Sequence, residues 1–424
     1  MRTGSALTAV VLALALVGPA LAQSAYVPRT GLAAGTAVCP GGLCQVEALE
    51  GLFEALAATE AGQRERPVHI LQIGDSHTAG DRITGALRAA LQVRFGNGGR
   101  GALPPGIPYD GYAPLQVQVE ARDWTLTPEP LVTTGGYSRF GVGLAGIQGI
   151  RYGPDPALTV TAEPGGRPRV LGLCGRAGPG AGAIRVSMAS GEGVADFAAP
   201  EAGPVCREIG LPTAAESIRL TPVGPGVPLY DLWLATGRPG VVVSNLGAVG
   251  ATLRDLAARD EAVTATELAY WRPQLIVLAF GTNEGFDDAL NRVTYEALLR
   301  GEIARMRRLA PAASLLLMGA PDAERTGPAG GCSADGLRRP PPSLAVVRDV
   351  QRRVAADMGV AFWDWHGRMG GDCSADRLAL MAEPHMRGDR VHFTTIGADW
   401  IGGVFAADLT AAFDGWKITK GQGD

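Results

Sequence analysis

The stretch Ile70 to Asp81, ILQIGDSHTAGD, constrains the fold most: an apolar run stops at a Gly-Asp-Ser-His turn and leads into the helix-compatible residues Arg82 to Phe95. A serine placed there sits at the carboxyl end of a strand and the start of a helix. Open α/β sheets form their ligand crevices at that position, and free backbone N–H groups there face a developing negative charge. Ser76 is therefore the candidate nucleophile. Gly-Asp-Ser is also ordinary turn composition, and a serine before a helix also serves as an N-cap, so the assignment depends on the rest of the chain.

From Gly240 onward the same texture returns. VVVSNLGAVGATLRDLA, PQLIVLAFGTNEGF, ASLLLMGAPDA and GVAFWDWHG each read as a buried strand ending in a polar turn, with helical stretches at Thr294 to Leu309 and Leu344 to Met358. Such repetition predicts a parallel sheet with helices on both faces. Between the two α/β segments, residues 115–234 carry short alternating runs (LQVQVEA, ALTVTAE, RVLGLC, IRVSMA, SIRLT) separated by Gly/Pro/Asp turns, the pattern of a β-sandwich inserted into the α/β unit. The Gly/Pro-rich Phe95 to Pro114 reads as a long shaped loop without regular structure. A lead-in helix is expected at Gln45 to Thr59.

The chain of 424 residues, 46% hydrophobic and 19% charged, is globular. Its charged start, the apolar stretch Ala6 to Val17 and Ala20-Leu21-Ala22 form a secretory signal, with cleavage expected near Gln23. No other stretch reads as long and apolar enough to span a bilayer, so the mature chain is expected to be soluble and exported. Six cysteines suit an oxidising compartment; their order suggests Cys39 with Cys44, Cys174 with Cys206 and Cys332 with Cys373, one of fifteen possible pairings. Net charge is −4, and the basic residues are scattered arginines apart from Lys417 and Lys420, which argues against a nucleic-acid partner.

The strand ends offer a constellation. Gly250 lies in NLGAVGAT, Asn283 in FGTNEGF, and Asp389 and His392 in RGDRVHFT. Serine chemistry needs a base on the hydroxyl, an acid that fixes the imidazole tautomer, and donors aimed at the oxyanion. Ser76, Gly250, Asn283 and His392, with aspartate three residues before the histidine, resemble the SGNH (GDSL-type) hydrolases. The lipase elbow Gly-x-Ser-x-Gly is absent, because residue 78 is Thr. GDSHTAGD, GNGGRG, GTNE and the inserted β-region together resemble the periplasmic peptidoglycan O-acetylesterases of Gram-negative bacteria. In those proteins acetyl is removed from the C6 hydroxyl of N-acetylmuramic acid, and the insert resembles a carbohydrate-binding module. The oxyanion block usually has Asp after Asn, where this chain has Glu284.

The resemblance implies a flavodoxin-like three-layer α/β fold with an inserted β-sandwich. Its segments would be a signal peptide at 1–22, a lead-in at 23–66, the hydrolase domain in two parts at 67–114 and 236–415, the insert at 115–235, and a tail at 416–424. It implies Ser76 as nucleophile, His392 as base and Asp389 as its orienting acid. Ser76 and Gly250 N–H groups and the Asn283 amide would form the oxyanion hole, with no metal or cofactor. The implied substrate is an O-acetylated glycan, most readily peptidoglycan, in the periplasm. An O-acetyltransferase with the same triad and a non-catalytic glycan-binding protein are the alternatives; oligomeric state is not readable. Gly247 competes with Gly250 for the oxyanion role. His77 is expected to be structural or substrate-lining. His366 and His385 with Asp364 have spacing too irregular for a metal site. Trp124, Tyr137, Phe140 and Trp233 are sandwich core or sugar platforms, and Ser138 to Gly146 lacks the strand-to-helix context of a nucleotide site.

Overall fold

The computed structural model describes residues 32–132, 141–327 and 331–421. Its central sheet has six strands in the order Leu43–Cys44, Ala361–Trp363, Ser314–Met318, Leu275–Ala279, Val68–Gly74 and Val241–Gly247. All neighbours pair in parallel except Leu43–Cys44, which is antiparallel to Ala361–Trp363. Because side chains alternate along a strand, a sheet covered on both sides needs apolar residues at every position. Ile70, Val243, Val277 and Leu316 accordingly pack with the helices Glu50–Glu60, Arg82–Phe95 and Thr395–Gly421. Leu71, Val242, Ile276 and Leu317 pack on the other face with Glu261–Trp271, Arg292–Leu309 and Pro342–Met358.

Residues 395–421 form one 27-residue helix, which continues through positions expected to be a tail. Contrary to the sequence expectation, this helix is long and apolar enough to cross a bilayer. In the fold its apolar stripe lies against the sheet: Phe405, Leu409 and Phe413 are fully buried, with the Phe405 ring 4.8 Å from that of Trp363.

Two antiparallel sheets form the inserted region. One runs Val117–Pro128, Ile147–Ala162, Ser217–Val223, Ala183–Met188, Gly191–Asp196; the other runs Gly99–Leu103, Leu229–Ala235, Val170–Ala177, Gly203–Gly210. Their facing side chains, among them Leu158, Ile184, Leu220, Leu171, Leu173 and Leu232, make a separate core. The strand Gly99–Leu103 corrects the expectation of an irregular loop at 95–114: pairing with Leu229–Ala235 supplies the order that composition argued against. Its glycines fit a tight junction, since a Cβ on Gly101 would lie 2.3 Å from Ser244 Oγ.

The Leu229–Ala235 strand is buried on both faces. Leu232 and Leu234 enter the sandwich core, while Trp233 and Ala235 join the α/β core. Asp231 and Glu267 are both buried. Burial, then the neighbouring Glu267, pushes the Asp231 carboxyl well up; burial likewise raises Glu267 to about 7. The Cys39–Cys44, Cys174–Cys206 and Cys332–Cys373 pairs are all disulfides. The signal stretch, Tyr137 and Phe140 lie outside the described residues.

Phe405→Ala is expected to cost about 3–5 kcal/mol, through lost burial and the cavity it opens between helix and sheet. Urea denaturation would read this as a lower midpoint at unchanged slope.

Candidate active site

The strand Val68–Gly74 is buried throughout and ends at Gly74, where a Cβ would lie 2.4 Å from Thr78 Oγ1 and 2.5 Å from the Ala279 carbonyl. Only glycine lets the chain turn there. Asp75 then caps the short helix Ser76–Ala79 by accepting the His77 N–H at 2.9 Å. On the flanking strand, a Cβ on Gly247 would stand 2.1 Å from the Ala79 nitrogen, so this strand end closes directly on the Ser76 turn.

A buried polar network holds the turn from behind. Asn245 Nδ2 donates to the Thr78 carbonyl at 2.8 Å and Gln72 Nε2 to Thr78 Oγ1 at 2.9 Å. Arg100 donates to Asn245 Oδ1 and to Asp81 Oδ2, each at 2.8 Å; Arg88 donates to Asp81 Oδ1 at 2.7 Å. Asp81 also accepts from Thr84 Oγ1 and the Leu115 N–H. Burial alone would raise the Asp81 carboxyl, but Arg100, Arg88 and these hydrogen bonds outweigh it and hold it below the usual aspartate value. Sequence reasoning missed this network. The available signal was an aspartate closing the motif with Arg88 two helical turns on.

Ser76 Oγ lies 2.9 Å from His392 Nε2, although 316 positions separate them. His392 Nδ1 lies 2.8 Å from Asp389 Oδ2, while Asp389 Oδ1 accepts the N–H groups of Val391 at 2.9 Å and His392 at 3.0 Å. Burial pushes Asp389 up, but the His392 and Val391 hydrogen bonds prevail and lower its pKa. The loop is secured from outside: Arg390 Nε donates to Asp376 Oδ1 at 3.0 Å, and Glu324 N–H to the Arg390 carbonyl at 3.0 Å.

Gly250 and Asn283 occupy the turns after the two strands flanking Val68–Gly74. Gly250 has φ +78°, a conformation that favours glycine. Asn283 Nδ2 donates to the Ala251 carbonyl at 2.8 Å, which ties the two turns together and leaves the amide its second N–H. Gly247 and Gly250 thus have different tasks, close packing for the first and the turn for the second. Glu284 is buried behind Asn283 and accepts the Leu253 N–H at 2.8 Å; burial raises it to about 7. A cleft of about 170 Å³ opens beside Asn283, walled by Val132, Thr252, Arg254 and Tyr295.

The other candidates lie apart from this site or in its walls. Trp124 is buried and donates to the Pro105 carbonyl, and Trp233 packs 4.8 Å from His69, so both are core. His385 packs edge-on to Trp400. Asp322, His366 and Asp372 bring ligand atoms within 4.8 Å of one another, a grouping that sequence spacing did not single out. Within it His366 Nε2 contacts Asp372 Oδ1 at 2.9 Å and Arg348 approaches the same oxygen at 3.4 Å. Glu324, Cys332 and Cys373 also cluster, with both sulfurs committed to a disulfide.

A parallel α/β sheet that carries a strand-end serine within hydrogen-bond reach of a histidine–aspartate pair has the arrangement of a serine hydrolase. Residues 219–400 match the GDSL-like lipase/acylhydrolase family, and the chain is an esterase by class that resembles the SGNH hydrolases. It is similar to a solved peptidoglycan O-acetylesterase, with 25% identity over 88% of this chain and 99% of that one and a TM-score of 0.73. A GDSL-like lipase from Parabacteroides merdae is 17% identical over 40% of this chain and 74% of its own, with a TM-score of 0.30. A family two carbohydrate esterase from Clostridium thermocellum is 10% identical over 61% and 92%, with a TM-score of 0.28. Likenesses that weak bear no functional argument. No curated protein matches by sequence.

Asp81→Asn leaves Arg88 and Arg100 buried without their counter-charge and is expected to destabilise the fold by about 3–5 kcal/mol in urea titration. A second expectation concerns pH. Glu284 keeps its proton to about pH 7 in the fold, whereas in the unfolded chain it ionises near its ordinary 4.5. Its favourable share of stability is therefore complete below 4.5 and lost as pH rises through about 7. Glu284→Gln should flatten that part of the stability–pH curve; an unchanged slope would contradict the assignment.

Proposed function

We propose that the protein is a serine O-acetylesterase that deacetylates a polysaccharide, and that its substrate is peptidoglycan acetylated at C6 of N-acetylmuramic acid. The observation that carries the esterase chemistry is the relay of Ser76 Oγ, His392 and Asp389 at 2.9 and 2.8 Å. Ser76 attacks the acetyl carbonyl as His392 takes its proton, and Asp389 holds the imidazole with Nε2 facing the serine. The N–H groups of Ser76 and Gly250 and the free N–H of the Asn283 amide receive the oxyanion. The tetrahedral intermediate collapses to acetyl-serine and releases the sugar hydroxyl, which takes the proton from His392. Water, deprotonated by His392, then frees acetate.

Support for the glycan comes from the likeness to the peptidoglycan O-acetylesterase, which extends over nearly that whole protein rather than the α/β core alone. On this reading the insert, residues 115–235 together with the strand Gly99–Leu103, is a carbohydrate-binding region between hydrolase segments 67–114 and 236–415. The three disulfides suit export to the periplasm behind a signal at 1–22. An acetyltransferase uses the same relay with a sugar hydroxyl in place of water as the second acceptor.

Ser76→Ala should lower p-nitrophenyl acetate hydrolysis by about 10³-fold or more, and Asn283→Ala by about 10²–10³-fold. Retained activity in the serine variant would remove Ser76 from the mechanism. Acetate released from O-acetylated peptidoglycan should exceed that from acetylated xylan, and equal release would overturn the substrate assignment. Acetyl transfer to chitooligosaccharide in place of acetate release would favour the transferase.

A further inference from the structure

His77 follows the nucleophile and turns its ring inward, where it is buried. Its Nε2 lies 2.9 Å from the Val391 carbonyl oxygen and its Nδ1 lies 3.1 Å from Asp75 Oδ1. A carbonyl oxygen only accepts, so Nε2 carries a proton. Asp75 Oδ1 already accepts the His77 backbone N–H at 2.9 Å, and an ionised carboxylate oxygen likewise only accepts. A neutral ring would aim a lone pair at one of the two oxygens. A ring protonated on both nitrogens satisfies both contacts.

The surroundings agree with that state. Burial opposes a charge on His77, but the Asp75 carboxylate, the Val391 carbonyl and the Asp389 charge outweigh it and raise its pKa above the ordinary histidine value. Asp75 faces the ring from its own turn, and Asp389 and His392 face it from the C-terminal loop. The remaining close walls, Trp365 at 5.3 Å and Phe393 at 6.0 Å, are uncharged.

Val391 lies between Asp389 and His392, so the Nε2 contact ties the nucleophile turn to the loop that carries the base. The two imidazoles are 5.5 Å apart with planes inclined by 31°. Resting on the reading of Ser76 as nucleophile and His392 as base, we infer that His77 is a positioning residue. It is an imidazolium that clamps the two turns together. Asp75 supplies the balancing charge on the far side of the ring. The Asp and the His of the Gly-Asp-Ser-His turn thus act as a pair around the serine between them.

The test has two arms on the full chain. Nitrogen-15 NMR of the wild-type protein at pH 7 should show both His77 ring nitrogens protonated. One unprotonated nitrogen would overturn the inference, including the case in which Asp75 holds the proton instead. In the second arm, His77→Gln keeps an amide N–H within reach of the Val391 carbonyl but carries no charge. Its kcat for p-nitrophenyl acetate should fall by about tenfold with KM unchanged, because the Asp75 side of the clamp is lost. His77→Ala, which loses both contacts, should show a further fall in kcat of about tenfold. An unchanged kcat in a folded His77→Gln protein would sink the inference while leaving serine dependence intact. Activity that survives Ser76→Ala would instead sink the esterase reading, and the NMR result would stand by itself.

Discussion

The site depends on strand register. Val68–Gly74 is sandwiched between Val241–Gly247 and Leu275–Ala279, and the parallel pairing sets Gly74 level with both Gly247 and Ala279. Three strands that finish on one line send their following turns out side by side, which is how Ser76, Gly250 and Asn283 come to one edge. A slip in a parallel pair would shift a turn by about 3.3 Å per residue, enough to dismantle hydrogen bonds of 2.8–2.9 Å such as those at Ser76 and Asn283. Side-chain fit protects the register: Gly74 and Gly247 each lie where a single added carbon would strike backbone.

Charge is arranged in two shells with opposite exposure. Asp81, Arg88 and Arg100 are buried and fix the turn permanently, at a desolvation cost that their mutual contacts offset. Asp389 and His392 lie open enough to meet water and substrate, and their loop is held by backbone hydrogen bonds and the Arg390–Asp376 ion pair. On the proposed mechanism the rigid half presents the nucleophile, while the accessible half moves its proton. This division suits a base that must alternate between two protonation states with little rearrangement.

Much of this was legible in the sequence, for physical reasons. Buried parallel strands need unbroken apolar runs, so the strands at 68–74, 241–247, 275–279 and 314–318 stood out, as did the polar turns at their ends. That Ser76, Gly250 and Asn283 follow buried strands, and that Asp389 and His392 share one loop, was readable because each of these stretches is local in sequence. The strand Gly99–Leu103 was not, because its order comes from a partner more than a hundred residues on and its glycines speak against a strand. The Asp81–Arg100 network was hidden likewise: a buried charge pair looks in sequence like surface charge. The Asp75–His77 contact brackets Ser76, yet the direction of the ring is settled by the fold.

The middle strand of the main sheet also bears on how the chain acquires its shape. Val68–Gly74 leaves the ribosome early, but both its neighbours are encoded some 170 to 210 positions later, with the whole sandwich in between. Contacts of such separation carry a large loop-closure cost and make assembly slow. Until residues 241–279 are made, this buried strand has neither neighbour to pair with, and a nascent chain presents it bare. Timely shielding of that segment, by a chaperone or by passage across a membrane before collapse, is therefore a demand that the topology itself places on the cell.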